Sequence, residues 1–561
     1  MALSSKMKIK VSDYLIEVLK KCGVKTYFGV QGGAIAHVIE SSAKKCNYIP
    51  VLNEQAGGMC AHGYYFSKEK PACVLTTTGP GFLNSVTGMA TCFYDNVPSV
   101  FITGQVSKNL NLAKKFKVKM YGFQEVQHID IGKNISDTVF KINSEDSLFK
   151  FFEYIRIHNF KITETIFIEI QDAFSRSFIK YKKLNRKNVI KYQNKKKLKH
   201  NLEKYLNNCA KPILIIGSGF SEFKSKKIIN KFSNKFKIPI CFSWGGSRYM
   251  SKKNLFNVGY FGQHNPGIAN KLLQECDLII GLGVSLLQHQ VGKIKSKFCP
   301  KAKIIYVNDK YSNHKKAFYD FKSRLISVNT DSGSFLKKFE KIKLRNKFKN
   351  NINFKPIFKK NTSLPVNILV NIFREFDKLK GSTNNLIFSD AGASLSWTFQ
   401  AANILKRPNV FTSYNIHTMG YSIPAGIGAA LNKNKKVLAI IGDGGLLMNS
   451  QELVNFVRVK KNLKLIVMDN KGYGIIRQTQ DDFFKSNYIG TKIGLKNNIP
   501  YYSTEKILSS FGLKIKKANQ SINAHTIKKF FNSDINCLIL NIDPKYKVEN
   551  IKLQKNQVLP F

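Results

Sequence analysis

Two hard oxygen donors, Asp443 and Asn470, each follow an apolar run that reads as a strand, and each lies within two residues of glycine. In "AIIGDGGLLMN" (439–449) the aspartate sits among Gly442, Gly444 and Gly445; in "LKLIVMDNKGYG" (463–474) the asparagine follows Asp469 and precedes Gly472, Tyr473 and Gly474. An Asp-Gly pair alone signals a turn. A turn does not require a second oxygen ligand at the end of the next strand. Adjacent parallel strands would bring Asp443 and Asn470 to one sheet edge. There, with a backbone carbonyl from Gly472, they suit Mg²⁺, leaving positions for two diphosphate oxygens and a water. The glycines let backbone approach phosphate, and a helix N-terminus beyond them favours negative charge. Asn449 and Glu452 are spaced as a capping pair, so the helix is expected to begin in "NSQELVNFVRVKK".

The elements that must position these residues follow an α/β rhythm, short β-rich runs alternating with amphipathic helices. Lysine- and asparagine-rich stretches near 180–205 and 340–362 read as connections and divide the chain into three blocks. The first carries "PACVLTTTGPG", "PSVFITGQV" and "TIFIEIQDA"; the second "KPILIIGSGF", "CDLIIGLGV" and "AKIIYVND"; the third "NNLIFSDAG", "KVLAIIGDGG" and "LKLIVMDN". The outer blocks share a strand–glycine turn–helix rhythm. At the N-terminus Leu15, Val18, Leu19 and Cys22 fall on one helical face, with Ser12 placed to cap and Gly23 to terminate.

The 561 residues carry 90 Lys+Arg against 35 Asp+Glu, a formal charge of +55. The lysines travel with asparagine and isoleucine over the whole chain, and no basic stripe alternates with aromatics. A coding bias explains that mixture better than nucleic-acid binding, so no nucleic-acid partner is expected. The N-terminal segment has no signal-peptide core and no apolar run is long enough to span a membrane, so a cytoplasmic protein is expected. Ten scattered cysteines without CxxC are expected as reduced thiols.

Beyond the two motifs, "FGVQGGAIAHVIE", "NEQAGGMCAHGY", "TTTGPGFLNSVTGMATCFYDNVPSVFITGQV" and "GFQEVQHIDI" resemble, in order, the pyrimidine-binding domain of the acetolactate synthase-like thiamine-diphosphate enzymes. "HTMGYSIPAGIGAAL" and the run from "GDGG" to "RQTQDDF" resemble their diphosphate-binding domain. The resemblance implies three doubly wound parallel-sheet α/β domains: pyrimidine-binding (1–180), a nucleotide-binding-like middle domain (200–340), and a diphosphate- and Mg-binding domain (365–545). It implies a cofactor held between the first domain of one subunit and the third of its partner, hence a homodimer or homotetramer. Glu54 matches the glutamate that contacts the cofactor's aminopyrimidine, with the small Ala56, Gly57 and Gly58 giving the ring room. Met419 matches the apolar wedge that bends the cofactor, with His417 and Thr418 just before it. Gly392, Ala393 and Ser394 match the loop near the diphosphate. Gly32 and Gly33 match the substrate side, as does Gln124 with Phe123.

The activity implied is Mg²⁺- and thiamine-diphosphate-dependent decarboxylation of a 2-oxoacid, pyruvate first, with transfer of the acyl carbanion to a carbonyl acceptor. Alternatives are another thiamine-diphosphate lyase, decarboxylase or oxidase, as in polysaccharide or sugar-nucleotide pathways, or a non-catalytic regulatory subunit. Two departures bear on this. Thr479 stands where the synthases have a tryptophan that shapes the acceptor site. Ser285 stands where flavin-binding synthases have arginine, and the Gly217-Ser218-Gly219 turn is too short a nucleotide signal, which leaves FAD open but disfavoured.

Overall fold

The computed structural model describes residues 7–183, 185, 203, 205–220, 225–265, 267–292, 295–309, 319–339, 363–379 and 385–549. The connection expected over 340–362 lies outside these, as does most of that over 180–205. Three six-stranded sheets, every pairing parallel, follow one another along the chain. The first runs in space Asn47–Pro50, Thr26–Gly29, Ala72–Thr76, Ser99–Gln105, Thr165–Gln171, Thr138–Ile142. The third runs Val410–Phe411, Leu386–Ser389, Val437–Gly442, Leu463–Asp469, Cys537–Asn541, Ile515–Ala518. Counted along the chain, both have the order 2-1-3-4-6-5. The rhythm shared by the outer blocks is therefore one topology used twice.

The middle sheet runs Asn257–Tyr260, Ile240–Phe242, Pro212–Ile216, Leu278–Leu282, Lys303–Val307, Leu325–Val328, an order of 3-2-1-4-5-6. That is the order of dinucleotide-binding sheets. Central strands of all three sheets are buried on both faces, which explains their unbroken Val/Ile/Leu runs. A two-stranded antiparallel ribbon, Lys8–Lys10 with Phe178–Lys180, ties together the two ends of the first domain.

Local expectations held unevenly. Leu15, Val18 and Leu19 of the Val11–Lys21 helix are buried, and Gly23 ends it at φ +88°. Ser12 does not cap; its hydroxyl accepts from Ser41 instead. The helix after Gly442 begins at once, at Asp443–Met448, breaks at Asn449, and continues as a tight helix over Ser450–Arg458. Asn449 and Glu452 form no capping pair because other domains and loops claim them. The Asn449 amide donates to the Gly420 carbonyl, and the Glu452 carboxylate accepts from the backbone N–H groups of Leu52 and Asn53 at 2.8 and 3.0 Å.

The first and third domains meet through the helices Glu54–Lys68 and Ser422–Ala430. A Cβ on Gly63 would lie 1.9 Å from the Ala425 carbonyl oxygen, and one on Gly428 2.0 Å from that of Cys60. On another face of the Glu54–Lys68 helix, Gly58 sits backbone to backbone against Gly88 of the Pro80–Tyr94 helix. Gly57 faces the side chains of Val74 and Val51. Gly57 and Gly58 thus serve packing between elements, not approach of a cofactor ring. The ten cysteines are free thiols. Among the described residues no helix is long and apolar enough to cross a membrane.

Candidate functional site

The Val437–Gly442 and Leu463–Asp469 strands stay in register to the pair Gly442 and Met468. Asp443 and Asn470 therefore leave the sheet side by side. Asp443 is fully buried; its Oδ2 accepts from the Gly472 N–H at 2.7 Å and from the Tyr502 hydroxyl at 2.8 Å. One terminal atom of the Asn470 amide lies 3.1 Å from Asp443 Oδ1 and 2.8 Å from the Gly472 carbonyl oxygen. With nitrogen at that place the amide donates to both oxygens. With oxygen there, it lies 3.1 and 2.8 Å from the other two oxygens, close to the roughly 2.9 Å between neighbouring ligands of a cation bound octahedrally at about 2.05 Å. A single amide turn thus converts a hydrogen-bonded cluster into a ligand set for a hard divalent cation. Among the described residues no group of three His, Cys, Asp or Glu offers a competing centre.

The electrostatics agree with this. Burial, then the neighbouring Asp469 carboxylate, push Asp443 above its ordinary range, while the Tyr502 hydroxyl and the Gly472 and Asn470 backbone restrain the shift. A bound cation would offset what burial costs the charge. The turn itself demands glycine. Gly472 has φ +113°, and its Cβ would strike the Thr491 carbonyl oxygen at 2.2 Å. At Gly474 a Cβ would lie 2.2 Å from the Asn470 amide nitrogen, and at Gly444 the same distance from the Tyr473 ring. Arg477 holds the loop from behind, donating to the carbonyls of Asn470 and Lys471 at 2.7 and 2.6 Å.

Asp390, at the end of the neighbouring Leu386–Ser389 strand, gathers the rest of the cradle. Fully buried, it accepts from the backbone N–H groups of Ala391, Gly420 and Ser422 at 3.0, 2.9 and 2.8 Å. These bonds bind the Gly392 turn (φ +90°), which opens the Ala393–Ile404 helix, to the loop of His417, Thr418 and Met419. Ser394 donates to the Ala391 carbonyl, so its hydroxyl is engaged within the turn. Gly445 packs on the Asp390 carboxylate. A Cβ on Gly442 would meet nothing within 4 Å, so the edge opens into space there.

The remaining residues lie at the carboxyl edge of the first sheet. Glu54 opens its helix just after the capping Asn53; its carboxylate is buried, accepts from the Asn84 amide at 3.2 Å and faces Gly81. Gln124 adopts φ +58°, its carbonyl held by the Thr78 hydroxyl at 2.9 Å and its Cβ against Gly79. Phe123 is 80% exposed, so it is no core residue. Gly32 packs on Thr77, and Gly33 faces open space.

The candidate residues thus form two groups on two sheets, with contacts coupling their supports. Thr91 and Thr418 hydroxyls lie 3.0 Å apart. Asp95 accepts from the N–H groups of Tyr414 and Asn415, and also meets His62, whose other ring nitrogen is 2.8 Å from the Tyr421 hydroxyl. Asp390, Tyr502 and Asp95 were missed in the sequence. "SDAG" repeats the strand–Asp–Gly pattern and could have flagged Asp390. Tyr502 lies 59 residues from Asp443 and carries no local signal.

At the switch point of the middle sheet the two loops close on each other. The Gly219 N–H donates to the Gly283 carbonyl at 2.9 Å, and a Cβ on Gly217 would lie 2.2 Å from that oxygen. These residues do not fit a pyrophosphate inserted between the two strands, and Ser285 offers no cation to one.

Comparison with known proteins agrees with this architecture. Residues 9–131 match the family described as "Thiamine pyrophosphate enzyme, N-terminal TPP binding domain", 200–339 its central domain and 390–539 its C-terminal TPP binding domain. The acetolactate synthase isozyme 1 large subunit of Escherichia coli is 25% identical, over 97% of this chain and 96% of that one. The acetolactate synthase large subunit of Buchnera aphidicola is 26% identical over 97% and 96%. Among solved structures, benzoylformate decarboxylase from Polynucleobacter necessarius superposes with TM-score 0.79 at 17% identity, covering 96% of this chain and all of that one. A 4-hydroxybenzoylformate decarboxylase from Rhodococcus jostii gives 0.76 at the same identity and coverage. These structures share the fold; the family models and the full-length relatives carry the assignment. The chain belongs to the thiamine pyrophosphate-dependent enzymes, in their acetolactate synthase-like family.

Proposed function

We propose that this enzyme uses thiamine diphosphate and Mg²⁺ to decarboxylate a 2-oxoacid, pyruvate in the first instance, and to transfer the acyl group to a carbonyl acceptor. The observation that carries the reading is the cluster of Asp443, Asn470 and Gly472, in which the Asn470 amide lies 3.1 and 2.8 Å from the other two oxygens, separations that suit neighbouring ligands of an octahedral cation. When bound, thiamine diphosphate supplies the nucleophilic carbon and the electron sink for both bond cleavage and bond formation. The chain's own residues bind, orient and move protons. Asp443, Asn470 and the Gly472 carbonyl hold the metal, while the Gly392–Ser394 turn and Gly442–Gly445 line the diphosphate. Tyr473 and Gly474 back that loop. Met419, in a loop fixed by Asp390, would supply the apolar side chain packed against the bound cofactor. Glu54, buried at a helix N-terminus, would hold the aminopyrimidine and offer it a carboxyl group able to exchange a proton. Gly32, Gly33, Gln124 and His417 face the substrate.

Apolar side chains left exposed beside both groups support a shared site completed by a second copy of the chain. They include Leu83 and Tyr94 on the helix that carries Asn84, and Leu447 and Met448 on the Asp443 helix. Thr479 turns its hydroxyl back onto the Ile475 carbonyl at 3.3 Å, so the place of the synthases' tryptophan stays open to a bulkier acceptor. Calorimetric titration tests the reading. Asp443→Ala should lose Mg²⁺-dependent binding of thiamine diphosphate while keeping the fold, because it removes a ligand and no apolar packing. Equal affinity of the variant and wild type in the presence of Mg²⁺ would refute the assignment.

A further inference from the structure

Three histidines converge where the middle domain meets the His417 loop. Trp244 opens a tight helix after the Ile240–Phe242 strand and stacks on Phe399 of the Ala393–Ile404 helix at 4.7 Å between centroids. His264 and His289 lie nearly parallel to the same indole at 6.0 Å, and His417 meets it edge-on at 6.1 Å. His289 and His417 face each other at 5.6 Å and 81°. Both residues are half-buried, and neither ring makes a hydrogen bond among the described residues. His417 adopts φ +49°, a left-handed conformation uncommon for a non-glycine residue and here enforced by its surroundings. The enforcement is visible: Asp95 holds Tyr414 and Asn415 on one side, and Asp390 holds Gly420 and Ser422 on the other.

We propose that His289 and His417, with Trp244 and His264 as the wall behind them, form the pocket that binds the carbonyl acceptor. The inference rests on the reading of the neighbouring cradle as the thiamine diphosphate site, since His417 stands two residues from Met419. Burial, then the two neighbouring imidazoles, push His289 down to about 3, and burial lowers His417. Both rings are therefore neutral at neutral pH, each offering one N–H donor and one acceptor lone pair. Such a pair hydrogen-bonds the acceptor's carbonyl oxygen and an adjoining carboxylate or hydroxyl, with N–H donors and no fixed positive charge. A pocket built this way also assigns the middle domain a part in acceptor choice that needs no nucleotide.

Two measurements on the full-length protein test this. In the first, pyruvate is titrated into cofactor-free protein and intrinsic tryptophan fluorescence is followed, Trp244 lying against both rings. Wild type should respond, and His289→Phe, which keeps an aromatic ring on the indole, should weaken the apparent affinity by about 10-fold or more, the scale of lost hydrogen bonds in a closed site. His289→Gln, which keeps a donor, should recover part of it. In the second, the holoenzyme is given pyruvate as both donor and acceptor. Pyruvate consumption with ferricyanide as oxidant reads the donor half, and acetolactate yield reads the transfer. His289→Phe should depress the transfer about 10-fold or more beyond any change in the donor half. An unchanged fluorescence titration in His289→Phe, no response in wild type, or equal loss in both halves would overturn the pocket. A wild type that responds in fluorescence yet consumes no pyruvate would instead defeat the proposed reaction and leave the binding result standing.

Discussion

Asp390 has the most work to do for its size. Burial pushes its carboxyl up to about 6, and the N–H groups of Ser422, Gly420 and Ala391 act against that rise. Asp390→Asn leaves one of its three N–H groups facing an amide nitrogen, a loss of about 1–3 kcal/mol. Its pH dependence has a definite sign. The unfolded carboxyl titrates near 3.9, so the folded chain holds a proton that the unfolded chain releases between about pH 4 and 6. The contribution of this titration to stability is full below about pH 4 and lost as pH rises through 6. Urea unfolding of the cofactor-free protein at pH 4.5 and 7 should show wild type losing stability relative to Asp390→Asn as pH rises; a constant difference would contradict the assignment. Asp443 and Asn470 were legible because strand, glycine turn and helix are adjacent in sequence. Asp390 was half legible, lying in a motif quoted for its glycine. Tyr502, Asp95 and Trp244 were not, because their partners arrive from distant segments or from another domain.

At the scale of elements, the unbroken apolar strands and their glycine turns made the parallel sheets readable, and the similar rhythm of the outer blocks foreshadowed one strand order used twice. What local sequence could not reveal is where one element docks on another. Asn449 and Glu452 satisfied every local rule for a capping pair, yet Glu452 serves backbone N–H groups about four hundred residues away. Gly57 and Gly58 read as room for a ligand because glycine beside a catalytic glutamate invites that reading; their Cβ positions are taken by protein. The docking of the Glu54–Lys68 helix on Ser422–Ala430 gives the sharpest element-scale prediction. Gly63→Ala puts a methyl 1.9 Å from the Ala425 carbonyl oxygen, a clash with backbone that rotamers cannot relieve. It should destabilise the protein by about 1–3 kcal/mol, measured by urea unfolding. Since the Ser422–Ala430 helix follows the His417–Met419 loop directly, binding of thiamine diphosphate should weaken as well. Wild-type stability in this variant would mean that the helices are not in contact in solution.

At the scale of the whole molecule, the two groups of site residues sit on two sheets that share a topology, with exposed apolar side chains beside each. The proposed site pairs one chain's Glu54 with another chain's Asp443, an arrangement with a sharp consequence for mixtures of variants. Glu54→Gln keeps the cofactor but should slow proton loss from thiazolium C2 by about 10²–10⁴-fold, and Asp443→Ala loses the cofactor. In a dimer of one chain of each kind, one site carries both lesions and the other carries neither. The decisive measurement is therefore hydrogen–deuterium exchange at C2, followed by NMR on quenched samples, for the two variants separately and after co-assembly. Each variant alone should show little exchange beyond free cofactor. Random co-assembly should restore about one quarter of the wild-type excess, half the dimers being mixed and half their sites intact. Exchange after co-assembly no greater than the sum of the separate variants, in dimers shown by mass to be mixed, would contradict a site built from Glu54 of one copy and Asp443 of the other.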